Sequence, residues 1–170
     1  AQAMIAKEGK SKMSIELAPG MKMNFVYVPA GSFVMGSNRG HSDYSPANKQ
    51  AVKKGFWMGE IEVSNEQFRT IFPEHDSRFD RQLWKDHVHQ GYPANKPEQP
   101  AIRVSWEEAM QFCQKLSEKT GKNITLPTEV QWEWACRAGS DDAFWYGSLN
   151  TDFGKFENMA DKHLNLMAVR

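Results

Sequence analysis

Three times in this chain a Ser or Thr stands three residues ahead of a Glu or Gln: Ser64-Asn65-Glu66-Gln67, Ser105-Trp106-Glu107-Glu108 and Thr128-Glu129-Val130-Gln131. That spacing is a capping box, in which the first side chain accepts from the N–H of the last residue and the last side chain reaches back to the N–H of the first. Each box fixes a helix start, so the chain must hold three helices set apart by non-helical segments. The first runs through Phe68, Ile71 and Phe72 to Pro73, and the second carries Ala109, Phe112, Cys113 and Leu116 on one face and ends near Gly121. The third carries Val130, Trp134 and Ala135, with Gly139 as its stop.

Ahead of the helices the pattern changes to strands. Met23-Asn24-Phe25-Val26-Tyr27-Val28 and Ser32-Phe33-Val34-Met35-Gly36 flank Pro29-Ala30-Gly31, which predicts a hairpin, and residues 50–63 form a second β region through Phe56, Trp57, Met58, Ile61 and Val63. Residues 37–48 have the Ser, Asn, Gly and Asp content of a loop. Residues 1–19 are polar and Lys-rich and read as a flexible lead-in, with a short edge strand around Ile15 to Leu17; the domain proper covers residues 20–170. Between the first two helices, residues 74–100 make a long irregular stretch with His, Trp, Tyr and prolines at Pro93, Pro97 and Pro100, and a loop of that length in a compact domain is usually functional.

Charge excludes some functions. Lys plus Arg total 21 and Asp plus Glu total 21, so the chain carries no electrostatic footprint for nucleic acid or an anionic membrane. Its apolar runs are far shorter than the ~20 residues that cross a bilayer. The two cysteines are too few for a disulfide framework and lack C-x-x-C spacing. The opening Ala1-Gln2-Ala3 is compatible with an exported protein and equally with a cloning remnant.

Candidate chemistry is thin in the residues themselves. His75, His87 and His89 share the long loop with Asp76, Asp80 and Asp86, yet a transition-metal site needs three or four converging ligands, and a solvated or hydrogen-bonded His pair is the simpler reading. No G-x-S-x-G elbow, H-E-x-x-H or Gly-rich phosphate loop occurs. Cys113 lies on the apolar helix face beside Phe112 and Leu116, where a thiol packs inertly. Trp145 and Tyr146 are candidates for a ligand surface, since aromatic faces grip apolar sugar surfaces, whereas Trp134 reads as core.

The stretch Leu126-Pro127-Thr128-Glu129-Val130-Gln131-Trp132-Glu133-Trp134-Ala135-Cys136-Arg137-Ala138-Gly139 resembles the signature of the formylglycine-generating enzyme family, also called sulfatase-modifying factors. Its companions follow in the family's order: Val26 to Ser37, then Glu62-Val63-Ser64-Asn65-Glu66-Gln67-Phe68, then Pro100-Ala101-Ile102-Arg103-Val104-Ser105-Trp106 and, later, Phe144-Trp145-Tyr146-Gly147 and Glu157-Asn158-Met159-Ala160-Asp161. The resemblance implies an α+β fold, a C-type-lectin-like variant with twisted antiparallel strands, few helices and much irregular loop. It implies oxygen-dependent oxidation of a cysteine in a sulfatase's Cys-x-Pro-x-Arg motif to formylglycine, with copper held by a cysteine pair and structural calcium. Soft thiolates suit Cu(I).

The family's copper-binding cysteine pair, its Gly-Asn-Val-Trp-Glu-Trp segment and its closing Arg-Gly-Gly-Ser and Gly-Phe-Arg motifs do not occur in these 170 residues. The resemblance therefore implies the N-terminal half of the domain, with no catalytic residue of its own and copper held elsewhere in the complete enzyme. Calcium would be held by the Asn158 side chain and the Met159 carbonyl, the alternative being an Asx turn at Asn158. Positions matching Cys113 and Cys136 form structural disulfides in some members; without those partners both are expected as buried free thiols. The expected partners are the C-terminal half of the domain and a sulfatase peptide. The rival reading is a non-catalytic C-type-lectin-like module binding protein or glycan through residues 74–100 and Trp145-Tyr146. Half a domain leaves open strand edges, so residues 1–170 alone are expected to be poorly soluble or partly unfolded, with Trp132, Trp134 and Phe144 buried only against the missing half.

Overall fold

The structure is a computed structural model and describes residues 11–38, 45–80, 92–142, 144–148, 150–152 and 156. In chain order the elements are β1 (Lys12–Ala18), β2 (Met21–Val28), β3 (Gly31–Met35), β4 (Asn48–Val52), β5 (Phe56–Gly59), α1 (Asn65–Arg69), β6 (Phe79–Asp80), β7 (Tyr92–Pro93), α2 (Trp106–Thr120) and α3 (Glu129–Arg137). They form a three-stranded sheet in the order β1-β2-β5 and two-stranded pairs β3-β4 and β6-β7.

All three capping boxes close. Gln67, Glu108 and Gln131 each donate a backbone N–H to Ser64, Ser105 and Thr128, and each returns a side-chain oxygen to the cap's own N–H. The helix ends are less regular than the starts. α1 stops at Arg69, short of Phe72, although the Phe72 N–H still reaches the Phe68 carbonyl at 3.0 Å. α2 ends on Gly121 at φ 65°, and α3 ends on Ala138 at φ 49°, so the left-handed cap falls one residue before the expected Gly139.

The hairpin expected of β2 and β3 does not form: β2 pairs with β1 and β5, while β3 pairs antiparallel with β4, Gly31 opposite Val52 and Met35 opposite Asn48. The reason is Trp134. Its indole N–H donates to the Pro29 carbonyl at 2.8 Å, and its ring lies so close to Gly31 that a Cβ there would sit 2.5 Å from Cζ2. The link between β2 and β3 is thus occupied by a side chain from α3, and the chain changes sheets instead of reversing.

The chain divides into two compact units, the first comprising Ala1–Met13, Val26–Met58 and Pro127–Glu157, the second Ser14–Phe25, Gly59–Leu126 and Asn158–Arg170. The first is centred on Phe33, Val52 and Trp134, with Val28, Met35, Phe56 and Val130 packed around them. An indole alone buries ~150–250 Å² of largely apolar surface, which makes Trp134 the main anchor. The second unit buries Ile15, Leu17, Phe25, Phe68, Phe112 and Leu116. Phe68 stacks on Phe72 at 5.0 Å and on Phe112 at 5.1 Å. The strand expected around Ile15 to Leu17 is β1, which alternates Ile15 and Leu17 into the core, and Lys119 donates to the Leu17 carbonyl.

Candidate functional site

In the second unit the long segment between α1 and α2 is rooted by a buried polar network. Asn65, fully buried at the start of α1, donates both amide hydrogens, to the Ala94 carbonyl at 2.8 Å and the Lys96 carbonyl at 2.9 Å. Its Oδ1 is then an acceptor and takes the Ser77 hydroxyl at 2.6 Å. With its proton committed, Ser77 Oγ accepts from the Ile102 N–H at 3.1 Å, and His75 Nε2 lies 3.1 Å from the same oxygen. Arg69 closes the root by donating to the His75 carbonyl at 3.0 Å and to Asn95 Oδ1. Arg78 and Arg103, each directly after a member of this network, hold left-handed backbone at φ 54° and 59°. Non-glycine residues rarely adopt that region unless their surroundings enforce it. Ser77 is fully buried with its hydrogen bonds committed, so it is a tie and not a nucleophile.

Of the loop residues considered for a metal, His75 is this hydrogen-bonded member, Asp76 accepts from the Arg78 N–H at 2.9 Å, and Asp86, His87 and His89 lie outside the described residues. The Asp80 side chain is likewise not described. Among the described residues, no group of three His, Cys, Asp or Glu side chains could hold a metal ion.

In the first unit the signature helix α3 grips the end of β3. Glu133 Oε1 accepts from the Gly36 N–H at 2.9 Å and from Arg137 Nε and Nη2 at 2.9 and 2.7 Å, while Arg137 Nη2 also donates to the Gly36 carbonyl at 3.2 Å. Both backbone groups of Gly36 are therefore satisfied by one ion pair. The spacing of Glu133 and Arg137, one helical turn apart, is the sequence signal for this clamp.

Two expectations about this unit need correction, those for Trp134 and Cys136. Trp134 is 8% exposed without any further segment, because Phe33, Val52 and the Pro29 carbonyl already enclose it. Trp132 is 59% exposed, two residues away on the opposite side of the helix. Cys136 is an exposed free thiol, not a buried one: Glu133, Trp134 and Arg137 take the inward positions of α3 and leave Cys136 outside. Cys113 is a buried free thiol, and desolvation pushes its pKa up, outweighing the opposing backbone hydrogen bond.

Asn158 and Met159 lie outside the described residues. Trp145 and Tyr146 are described, and they occupy the middle of a tight turn closed by two backbone hydrogen bonds, Phe144 N–H to the Gly147 carbonyl at 3.0 Å and Gly147 N–H to the Phe144 carbonyl at 3.1 Å. Tyr146 stacks on Phe144 at 5.4 Å and on Phe156 at 4.8 Å, and Trp145 stands edge-on to Tyr146 and Phe156 at 5.2 and 5.8 Å. Trp145 remains 54% exposed, whereas Tyr146 is half-buried. Phe156, the third ring of the stack, gave no signal in the sequence.

The α+β architecture has known counterparts. PvdO from Pseudomonas aeruginosa superposes with a TM-score of 0.60 at 24% identity, covering 77% of this chain and 53% of that one. Treponema denticola variable protein 1 gives 0.58 at 21% identity, covering 80% and 60%. These likenesses show that the fold of the chain is shared with both proteins. The sulfatase-modifying factor enzyme 1-like domain matches residues 13–169, and the chain belongs to that family. It is 26% identical to the mouse formylglycine-generating enzyme over 153 residues, covering 67% of this chain and 40% of that protein. It is equally 26% identical to the bovine inactive C-alpha-formylglycine-generating enzyme 2 over 164 residues, covering 74% of this chain and 52% of that protein. The chain thus spans about half or less of the curated relatives it matches.

Burial favours the protonated thiol at Cys113, the form that does not ligate a metal. Among the described residues, no helix is long and apolar enough to cross a membrane.

Proposed function

We propose that the chain is part of a formylglycine-generating enzyme, acting on the cysteine of a Cys-x-Pro-x-Arg segment in a sulfatase. The observation that carries the reading is the family match across residues 13–169, anchored on a signature helix whose Glu133 and Arg137 have a defined role, the clamp on Gly36. In this reading the residues here supply scaffold: α3 fixes the end of β3, and the Asn65–Ser77 network roots the segment between α1 and α2. Oxidation at a thiolate-held copper belongs to a cysteine pair elsewhere in the complete protein, and no step is assigned to Cys113 or Cys136. Calcium at the Asn158 side chain and the Met159 carbonyl, and an exported location, go with the same reading.

The family holds both an enzyme and a relative named inactive, so activity is the property to test. The full-length protein, loaded with copper and supplied with oxygen and a Cys-x-Pro-x-Arg peptide, is expected to convert thiol to aldehyde, read as a mass loss on that cysteine and as capture by an aminooxy reagent. An unchanged peptide with metal loading verified rejects the reading.

A further inference from the structure

The segment that joins α2 to α3 contains Asn123-Ile124-Thr125, which ends one residue before the stretch that carries the family resemblance. An asparagine, then any residue but proline, then Ser or Thr is the acceptor pattern for an N-linked glycan, and this triplet is the one instance in the chain. The pattern alone makes no site. A glycan is bulky and confined to the surface, so the asparagine amide must be free and must share an open face with the hydroxyl two residues on.

The fold meets both conditions. Gly121 ends α2 in left-handed backbone at φ 65°, and the chain turns back along the helix it has just left. The Ile124 N–H donates to Ser117 Oγ at 2.9 Å, and the Ile124 carbonyl lies 3.0 Å from the same oxygen, so one serine of α2 holds the middle of the triplet through its backbone. Thr125 Oγ1 lies 3.9 Å from Met110 Sδ, two helical turns nearer the start of α2. Residues 123–128 belong to neither helix nor strand, and exposure alternates along them: Asn123 is open, Ile124 half-buried, Thr125 open and Leu126 half-buried. Alternation of that kind is the mark of extended chain, and it puts the Asn123 amide and the Thr125 hydroxyl on the solvent side while Ile124 faces inward. Other asparagines are committed elsewhere: Asn65 is fully buried, Asn24 accepts from Ser14, Asn38 from the Ala47 N–H, and Asn95 from Arg69. The Asn123 side chain makes no hydrogen bond among the described residues, and the thioether beside Thr125 is a weak acceptor that costs little to leave.

We propose that Asn123 is an N-glycosylation site, with Thr125 as the hydroxyl that the transferase reads. The donor is an oligosaccharide linked through a pyrophosphate to a lipid. The Asn123 Nδ2 forms the new bond to the anomeric carbon, the anomeric C–O bond breaks, the lipid pyrophosphate leaves with the electron pair, and the amide gives up one proton. The proposal rests on the exported location given above and is independent of the copper chemistry.

The test is peptide mapping of two samples of the full-length protein. One is purified from its source; the other is secreted by cultured mammalian cells behind an added leader and carries a flexible C-terminal Asn-Gly-Thr tag as an internal control. In both, the tryptic peptide of residues 123–137 is expected to carry a glycan mass, and enzymatic release in heavy-oxygen water should leave a labelled aspartate at position 123. In the secreted sample Asn123→Gln and Thr125→Ala should abolish the modification and Thr125→Ser should keep it at lower occupancy, with the near-ultraviolet spectrum unchanged because both positions are exposed. An unmodified peptide beside a glycosylated tag rejects the site while leaving the location standing. Modification in the secreted sample but not in the protein from its source rejects the exported location, and the proposal falls with it. A glycan on this peptide that survives Asn123→Gln assigns the acceptor elsewhere and also overturns it.

Discussion

The two units secure irregular backbone in different ways. In the first, the joint between β2 and β3 is held by one large side chain, Trp134, which supplies apolar burial and a single hydrogen bond to Pro29, and the end of β3 is held by the half-buried pair Glu133 and Arg137. In the second, the roots of the segment between α1 and α2 are held by small, fully buried polar groups, Asn65 and Ser77, each satisfying several partners at once. Apolar packing loses stability in proportion to what is removed, whereas a saturated buried network leaves several orphaned groups when one member changes. The second unit should therefore tolerate less at an equal change in shape.

The sharpest way to break that comparison is Asn65→Asp, which preserves shape but faces the Ala94 and Lys96 carbonyls with oxygen instead of N–H. A buried carboxylate without a cation should cost about 3–5 kcal/mol, measured as a fall in the urea midpoint. A loss below that of Trp134→Phe would mean that the network is water-filled or loose, and the contrast between the units would fail. Trp134→Phe keeps most of the packing against Phe33 and removes the donor to Pro29, so about 1–3 kcal/mol is expected from the same measurement. Glu133→Gln retains an acceptor for Gly36 and weakens a pair whose side chains are 22% and 23% exposed; about 0.5 kcal/mol is expected, fading as salt is added.

The same contrast governs what could be read from the chain. The capping boxes were legible because each is a local contract between residues three apart, and every one of them closes as the spacing predicts. The pairing of β3 was not legible, because the residue that prevents a β2–β3 hairpin sits 105 positions from Pro29. Ser77 and Asn65 carried no signal either: they are ordinary polar residues until Ala94, Lys96 and Ile102 are brought to them. Cys136 is exposed where the resemblance implied a buried free thiol, because the helix gives its inward positions to Glu133, Trp134 and Arg137. Trp145 is legible as a surface candidate from its residue type, whereas its edge-on packing with Tyr146 and Phe156 is visible only in the structure.

The two cysteines give the comparison its mildest probe. Burial raises the Cys113 thiol above its ordinary value, so the folded state favours the protonated form more than the unfolded chain does. That preference is fully present below the unfolded thiol's pKa of about 8.5 and is lost as pH rises through the folded value, because the unfolded chain ionises first and is drawn down relative to the folded one. Between about pH 7 and pH 9.5 the urea midpoint of the wild type should thus fall more than that of Cys113→Ala, whatever offset the variant carries from its missing sulfur. Exposed Cys136 should react with an aromatic disulfide reagent in the native protein, and Cys136→Ser should leave a protein whose remaining thiol reacts only when denaturant is added. Fast labelling of native Cys136→Ser would show that α2 opens readily and that the second unit is the looser of the two, reversing the order of tolerance argued from Asn65 and Ser77.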